Sequence, residues 1–160
     1  MTYSICGLSP TPYAPLFALS DTELAARGAV RVTAVTDRGF PCRVSLEDAR
    51  AGEPLILLNH TSHDVETPYR SSYAIYVREN ALSPAPFIDC TPPVFEGRPL
   101  GLRGFSRDGM LKDARLALPG EADAAIHSLF ADPQIAYIHA HNAAHGCFAA
   151  RIDRYEGPEQ

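Results

Sequence analysis

Two stretches late in the chain alternate in polarity with a period of two, and they constrain the fold more than any other feature. Ala136, Ile138 and Ala140 interleave with Tyr137, His139 and His141. Beyond the Asn142 to Gly146 loop, Phe148, Ala150 and Ile152 interleave with Cys147, Ala149 and Arg151. Successive strand residues point to opposite faces, so two such runs around an Asn/Gly loop predict an antiparallel β-hairpin over residues 134–153. With that loop His141 faces Cys147, His139 faces Ala149 and Tyr137 faces Arg151; a slip of two residues brings His139 opposite Cys147 and keeps the faces. Burial of Ile138, Ala140, Phe148 and Ile152 fixes the register to within two residues, because a slip of one would mix the apolar and polar sets.

The same stretch concentrates chemistry. Three of the six histidines and one of the four cysteines fall within residues 139–147. His139 and His141, two apart on one strand face, have Cα atoms ~6.6 Å apart, near enough to converge on one ion or one substrate.

Capping signals mark short helices elsewhere. Ser20 with Glu23 forms a capping box ahead of Gly28, predicting a helix over 21–27. Ser45 with Asp48, stopped by Gly52, repeats the device in a weaker form. Ile126, Leu129 and Phe130 at helical spacing predict a third helix over 121–131, ended by Pro133. Alternating or β-branched runs predict strands at 30–35, 54–60, 73–78, 100–106 and 110–118, the last two joined by an Arg107-Asp108-Gly109 turn. Helices this few and short fit an α+β class with a mainly antiparallel or mixed sheet rather than a doubly wound fold. At 160 residues and 46% hydrophobic, the chain is expected to form a single domain, 1–160.

Between residues 80 and 99 stand Pro84, Pro86, Pro92, Pro93 and Pro99. They block continuous sheet pairing and predict an extended loop around Phe87, Ile88 and Phe95, read as a strap over a sheet edge with a lid as the alternative. A second polar concentration runs from Asn59 through His60, His63 and Asp64 to Tyr69, Arg70, Ser71 and Ser72. Its imidazoles and carboxylate suit a metal, and its guanidinium and hydroxyls suit an anion. Ordinary loop chemistry, with Arg70 paired to a nearby acid, explains it equally.

Charge limits the partners. With 19 acidic and 14 basic residues the net charge is −5, and the arginines are scattered, so there is no basic stripe for nucleic acid. Met1 to Pro15 lacks the basic start and apolar run of a signal peptide, and the longest strongly apolar run, 55–58, is too short to cross a bilayer. The expectation is a cytoplasmic protein with no membrane partner. Cys6, Cys42, Cys90 and Cys147 form no C-x-x-C pair, which favours reduced thiols.

The segments at 40–49, 67–79, 136–142 and 146–154, with Thr67-Pro68-Tyr69-Arg70, Tyr137-Ile138-His139-Ala140-His141-Asn142 and Cys147-Phe148-Ala149-Ala150-Arg151 among them, resemble a bacterial domain-of-unknown-function family, number 1203, of short single-domain proteins. The resemblance spans nearly the whole chain. It implies one compact bacterial domain and assigns no activity or catalytic residue.

Three functional readings follow from the residues. In the first, His139 and His141 bind a divalent metal, zinc or iron(II), with Cys147, His145, His60 or His63 as a further ligand. In the second, His139 or His141 acts as acid/base beside a Cys147 nucleophile, with no metal and with Arg70 or Arg151 holding an anionic substrate. In the third, Tyr69, Arg70, Ser72, Tyr137, His139 and Arg151 belong to a non-catalytic module for a small anion or a protein partner, and an uncovered edge strand or the Pro-rich strap supports a homodimer. Either functional use of the two polar concentrations requires Arg70, His139 and His141 to share a pocket. Cys42, between Pro41 and Arg43, is read as a buried structural thiol with a separate reactive thiol as the alternative.

Overall fold

The computed structural model describes residues 1–157. In chain order its elements are β1 (Thr2–Cys6), α1 (Asp21–Ala26), β2 (Val30–Thr33), β3 (Pro54–His63), β4 (Ser71–Arg78), β5 (Phe87–Ile88), β6 (Leu100–Phe105), β7 (Leu111–Ala117), α2 (Ala122–Phe130), β8 (Tyr137–Asn142) and β9 (Phe148–Tyr155), with 3-10 turns at Ala14–Ala18 and Pro93–Phe95. The strands form two antiparallel sheets, a large one ordered β5-β1-β9-β8-β6-β7 and a small one ordered β2-β3-β4. This is an α+β fold, and the C-terminal hairpin lies at the centre of the large sheet.

Side-chain alternation builds the main core. Leu100 and Leu102 of β6, Ile138 and Ala140 of β8, Ile152 of β9, and Tyr3 and Ile5 of β1 meet Ile126, Leu129 and Phe130 of α2. Each fully buried aliphatic side chain in this layer contributes about 1.5–3 kcal/mol. Close approach also decides one residue type here. A Cβ on Gly104 would stand 2.6 Å from the Ile135 side chain, so only glycine lets β6 lie this close beneath residue 135.

The first helix begins as its capping box requires, with the Ser20 hydroxyl accepting from the Glu23 amide and the Glu23 carboxylate accepting from the Ser20 amide. Its Leu24 packs on Ile56 of the small sheet. The 45–52 segment is not a helix. Leu46 takes a positive φ of 54° and is fully buried in the main core. Asp48 accepts from the Gly39 amide and from Arg98 instead of capping a helix. Burial of one leucine overrides a weak local signal.

Two strands lack a counterpart in the sequence reading. β1 pairs with β9 on one side and with the two-residue β5 on the other. β5 belongs to the Pro-rich 80–99 segment, which follows the sheet edge and inserts Val94 and Phe95 into the main core. Edge pairing by so short a strand fits a segment whose prolines leave few amides to donate.

The hairpin differs from expectation in register and in its turn: Tyr137 pairs with Asp153 and His139 with Arg151, rather than with Arg151 and Ala149. Residues 138 to 140 pair with 150 to 152 two by two, but a β-bulge after Ala140 places His141 opposite Phe148. An extra residue on one arm reverses the facing beyond it. Ala149 and Ala150 therefore both enter the main core, whereas Phe148 joins Tyr137, His139 and His141 on the other face. That face is not open to water, because the β3–β4 ribbon lies over it.

Candidate functional site

The covered face carries a cluster of aromatic and imidazole rings. From the large sheet come Phe105, Tyr137, His139, His141 and Phe148; from the small sheet come His60, His63 and Tyr73. His63 packs on Phe105 and His139 with ring centres 4.2 and 4.9 Å apart, and Tyr73 packs on His141 at 5.0 Å. The His63 Nδ1 lies 2.8 Å from the Tyr69 carbonyl, which can only accept, so Nδ1 carries the proton. Its Nε2 then accepts from the Tyr137 hydroxyl at 2.8 Å. By the same logic the His141 Nδ1 donates to the Gly146 carbonyl at 3.0 Å.

Burial keeps two of these imidazoles uncharged. Loss of hydration, then the neighbouring His63, His141, Arg151 and Arg103, takes His139 down to about 3. Loss of hydration also takes His141 down to about 4; the Gly146 hydrogen bond opposes this, and Arg103 and Arg43 add to it. Among the described residues no group of three or more His, Cys, Asp or Glu is placed to hold a metal ion. His139 and His141 have ring centres 6.4 Å apart.

Beside the cluster, at the join of the two sheets, opens a cleft of about 490 Å³. Its walls are the 39–43 segment, β3 and β4 side chains, Arg98 with Pro99, and the hairpin loop from Asn142 to Cys147. Backbone bonds fix the first wall. The Arg43 amide donates to the Tyr76 carbonyl and its carbonyl accepts from the Leu8 amide. Gly7 makes that packing feasible, since a Cβ there would lie 1.9 Å from the Val44 carbonyl oxygen.

Arg43 is the unusual group. It is 2% exposed, and burial pulls its pKa down from the ordinary guanidinium value while the Cys147 thiol acts in the opposite sense. One terminal nitrogen donates to Cys147 Sγ at 3.4 Å; Nε has no partner; no carboxylate pairs with it among the described residues. Asn142 Nδ2 also donates to Cys147 Sγ, at 3.3 Å. Arg98, the other cation of the cleft, is already neutralised by a two-pronged pair with Asp48 at 2.7 and 2.9 Å. That pair holds the Asp48 carboxyl below its usual range against the opposing effect of burial.

The candidate residues read from sequence divide into separate places. Cys147 and the exposed His145 line the cleft; His139, His141, His63 and Tyr137 lie in the ring cluster. His60 sits beside it, bonded to the Tyr13 hydroxyl at 3.2 Å. Tyr69 and Arg70 line a smaller hollow with Tyr73, Arg103 and Phe105, and Arg70, 60% exposed, pairs with Asp64. The structure thus does not bring Arg70 into a common pocket with His139 and His141. Ser72 bonds Thr61 on the ribbon, and Arg151 stacks over Tyr137 while pairing Asp153. Cys42 is buried and accepts from the Ser45 and Arg78 amides, the structural placement. The cleft's central residue, Arg43, was not among the site candidates. Its only sequence signal is a lone cation inside the Phe40 to Val44 stretch, which becomes legible once Cys42 is read as buried.

No helix of the described chain is long and apolar enough to cross a membrane. No curated protein and no solved structure matches the chain. A family model for proteins of unknown function (DUF1203) matches residues 39–154, a span that contains every residue lining the cleft. The chain belongs to that family.

Proposed function

We propose that this protein binds a small organic anion in the cleft at the join of its two sheets, with Arg43 as the group that recognises the charge. The observation that carries the reading is a buried guanidinium without a counter-ion on the wall of an open cleft. An isolated buried charge costs several kcal/mol unless it is paired and hydrogen-bonded. The chain has an excess of acidic residues, yet no described carboxylate pairs with Arg43. An anion entering the cleft supplies the missing counter-charge. The cleft volume falls within the range usual for small-molecule sites.

The test is a set of melting curves with monoanions, on wild type and on Arg43→Met. An anion present at about a hundred times its dissociation constant stabilises the native state by about 2.7 kcal/mol through linkage. The rise should be saturable in wild type and absent in the variant. If no anion raises the wild-type midpoint, or if the variant responds equally, the reading fails.

A second reading, in which Cys147 attacks the carbonyl of a carboxylic thioester seated in the cleft, forming an acyl-cysteine and releasing the thiol, rests on the placement of its sulfur beside Arg43 in the same cleft. It requires a base, for which His145 is the cleft residue available. A covalent adduct at Cys147, seen by mass spectrometry after incubation with carboxylic thioesters, separates turnover from simple binding.

A further inference from the structure

We infer that the ligand of this cleft is an amphipathic carboxylate, one carboxylate group on an aromatic or branched apolar body, rather than a phosphate ester or nucleotide. The inference rests on the anion-binding reading above and narrows it by charge count and wall chemistry.

The cleft offers one uncompensated positive charge. Arg98 is closed by Asp48 and by the Val94 carbonyl, to which it donates at 2.8 Å, so its hydrogen-bonding edge is occupied. Arg43 alone remains, its guanidinium held by one hydrogen bond to Cys147 and by no carboxylate among the described residues. A phosphate monoester near neutral pH carries a charge of about −1.5 to −2 and three strong acceptor oxygens, and known phosphate sites meet these with several backbone amides, a helix N-terminus or more than one cation. No helix N-terminus lines this cleft, and one of its two cations is already neutralised. Its lining includes no residue of α1 or α2, and Pro41 and Pro99 have no amide hydrogen to offer. A carboxylate, with one charge and two oxygens, matches a single guanidinium edge.

The rest of the wall is apolar or aromatic. Leu57, Ile75 and Pro99 supply aliphatic surface, and Tyr73 and Tyr76 supply ring surface. The polar end is set where Arg43 and Asn142 converge on Cys147, which fixes the direction of the ligand: headgroup toward Arg43, body along β4. Burial of a planar or branched body on such walls is the main source of affinity, and the guanidinium supplies orientation and selectivity.

The test compares 3-phenylpropanoate, its uncharged amide, acetate, inorganic phosphate and adenosine monophosphate on the whole chain. Two readouts are taken: the melting midpoint, and the rate at which iodoacetamide alkylates Cys147 relative to the exposed Cys6 and Cys90, resolved by peptide mass spectrometry. 3-Phenylpropanoate should raise the midpoint and slow labelling of Cys147 alone. The amide and acetate should each bind at least about tenfold more weakly, the ratio that loss of a charge-assisted hydrogen bond or of the buried body gives. Ala74→Trp, which fills the cleft from an exposed strand position, should abolish protection without relying on a variant of the buried arginine. Phosphate or adenosine monophosphate protecting Cys147 better than 3-phenylpropanoate overturns the carboxylate inference and leaves the anion-binding reading standing. Protection by the amide equal to that by the acid overturns both, as does the absence of protection by every compound.

Discussion

Acid should destabilise this protein well above the range in which its carboxylates titrate, because His139 and His141 are buried as neutral rings. In the unfolded chain each takes up a proton near 6.5, whereas in the native state burial holds His139 to about 3 and His141 to about 4. The unfolded state therefore binds more protons, and stability falls as pH drops from about 6.5, continuing until the native values are reached. At about pH 5 each ring costs about 2 kcal/mol and the two together about 4, since one pKa unit is about 1.4 kcal/mol. Relative to a total stability of typically 5–15 kcal/mol, that loss is large. His60, pushed down by burial, adds in the same direction. The assay is urea denaturation at half-unit steps between about pH 7.5 and 5, with midpoints converted to free energy through a common m-value. A slope of about 2.7 kcal/mol per pH unit is expected at the acid end of that window, and His139→Leu should remove about half of it. Midpoints that stay flat down to about pH 5, or a double replacement of both histidines that leaves the slope unchanged, would refute the reasoning.

Four further outcomes follow from particular contacts. Arg43→Met should leave the ligand-free protein equally stable or up to about 1 kcal/mol more stable in urea, because a buried charge without a counter-ion is exchanged for apolar volume; a loss of several kcal/mol would mean that Arg43 is structural. Tyr137→Phe should cost about 1–3 kcal/mol by leaving His63 Nε2 without its donor, read by the same assay. Gly104→Ala should cost about 1–3 kcal/mol, since its new methyl meets Ile135 at 2.6 Å with little room to give. Gly7→Ala should be harsher and should also weaken anion binding in the melting assay, because the obstructing atom is the Val44 carbonyl next to Arg43.

What the sequence could show was local. The capping box at Ser20 states its own hydrogen bonds, and α1 forms where they require. Alternation over the hairpin arms placed Ile138, Ala140 and Ile152 in the core, and in the structure they are there. The bulge at Ala140 was illegible because Cys147 to Ala150 contains two small residues that fit either face; only packing against α2 on one side and the ribbon on the other selects Ala149 for the core and Phe148 for the rings. β1 was missed since five residues carry too short a pattern to read. The cleft was hidden for a different reason. Arg43, Tyr73 and Cys147 lie far apart in the chain, and a residue's lack of a partner is not visible until the fold shows what surrounds it.

The two halves of the inter-sheet region show one electrostatic logic. Arg43 beside the cleft and Arg103, whose terminal nitrogen donates to the Tyr73 hydroxyl at 3.1 Å, have no carboxylate partner among the described residues, whereas Arg98 and Arg151 each have one and Arg78 has two. Positive charge thus accumulates where the sheets meet, and it adds to the loss of hydration that keeps His141 uncharged. Neutral imidazoles can pack as aromatic rings against Phe148 and Tyr73, which cationic ones in a dry interior could not do without large cost. The unneutralised field and the uncharged histidines are therefore two aspects of one arrangement. A carboxylate bound to Arg43 would offset part of that field, so anion binding and the proton affinity of His141 are coupled by linkage: the ligand makes protonation of His141 easier, and protonation makes the ligand bind more tightly.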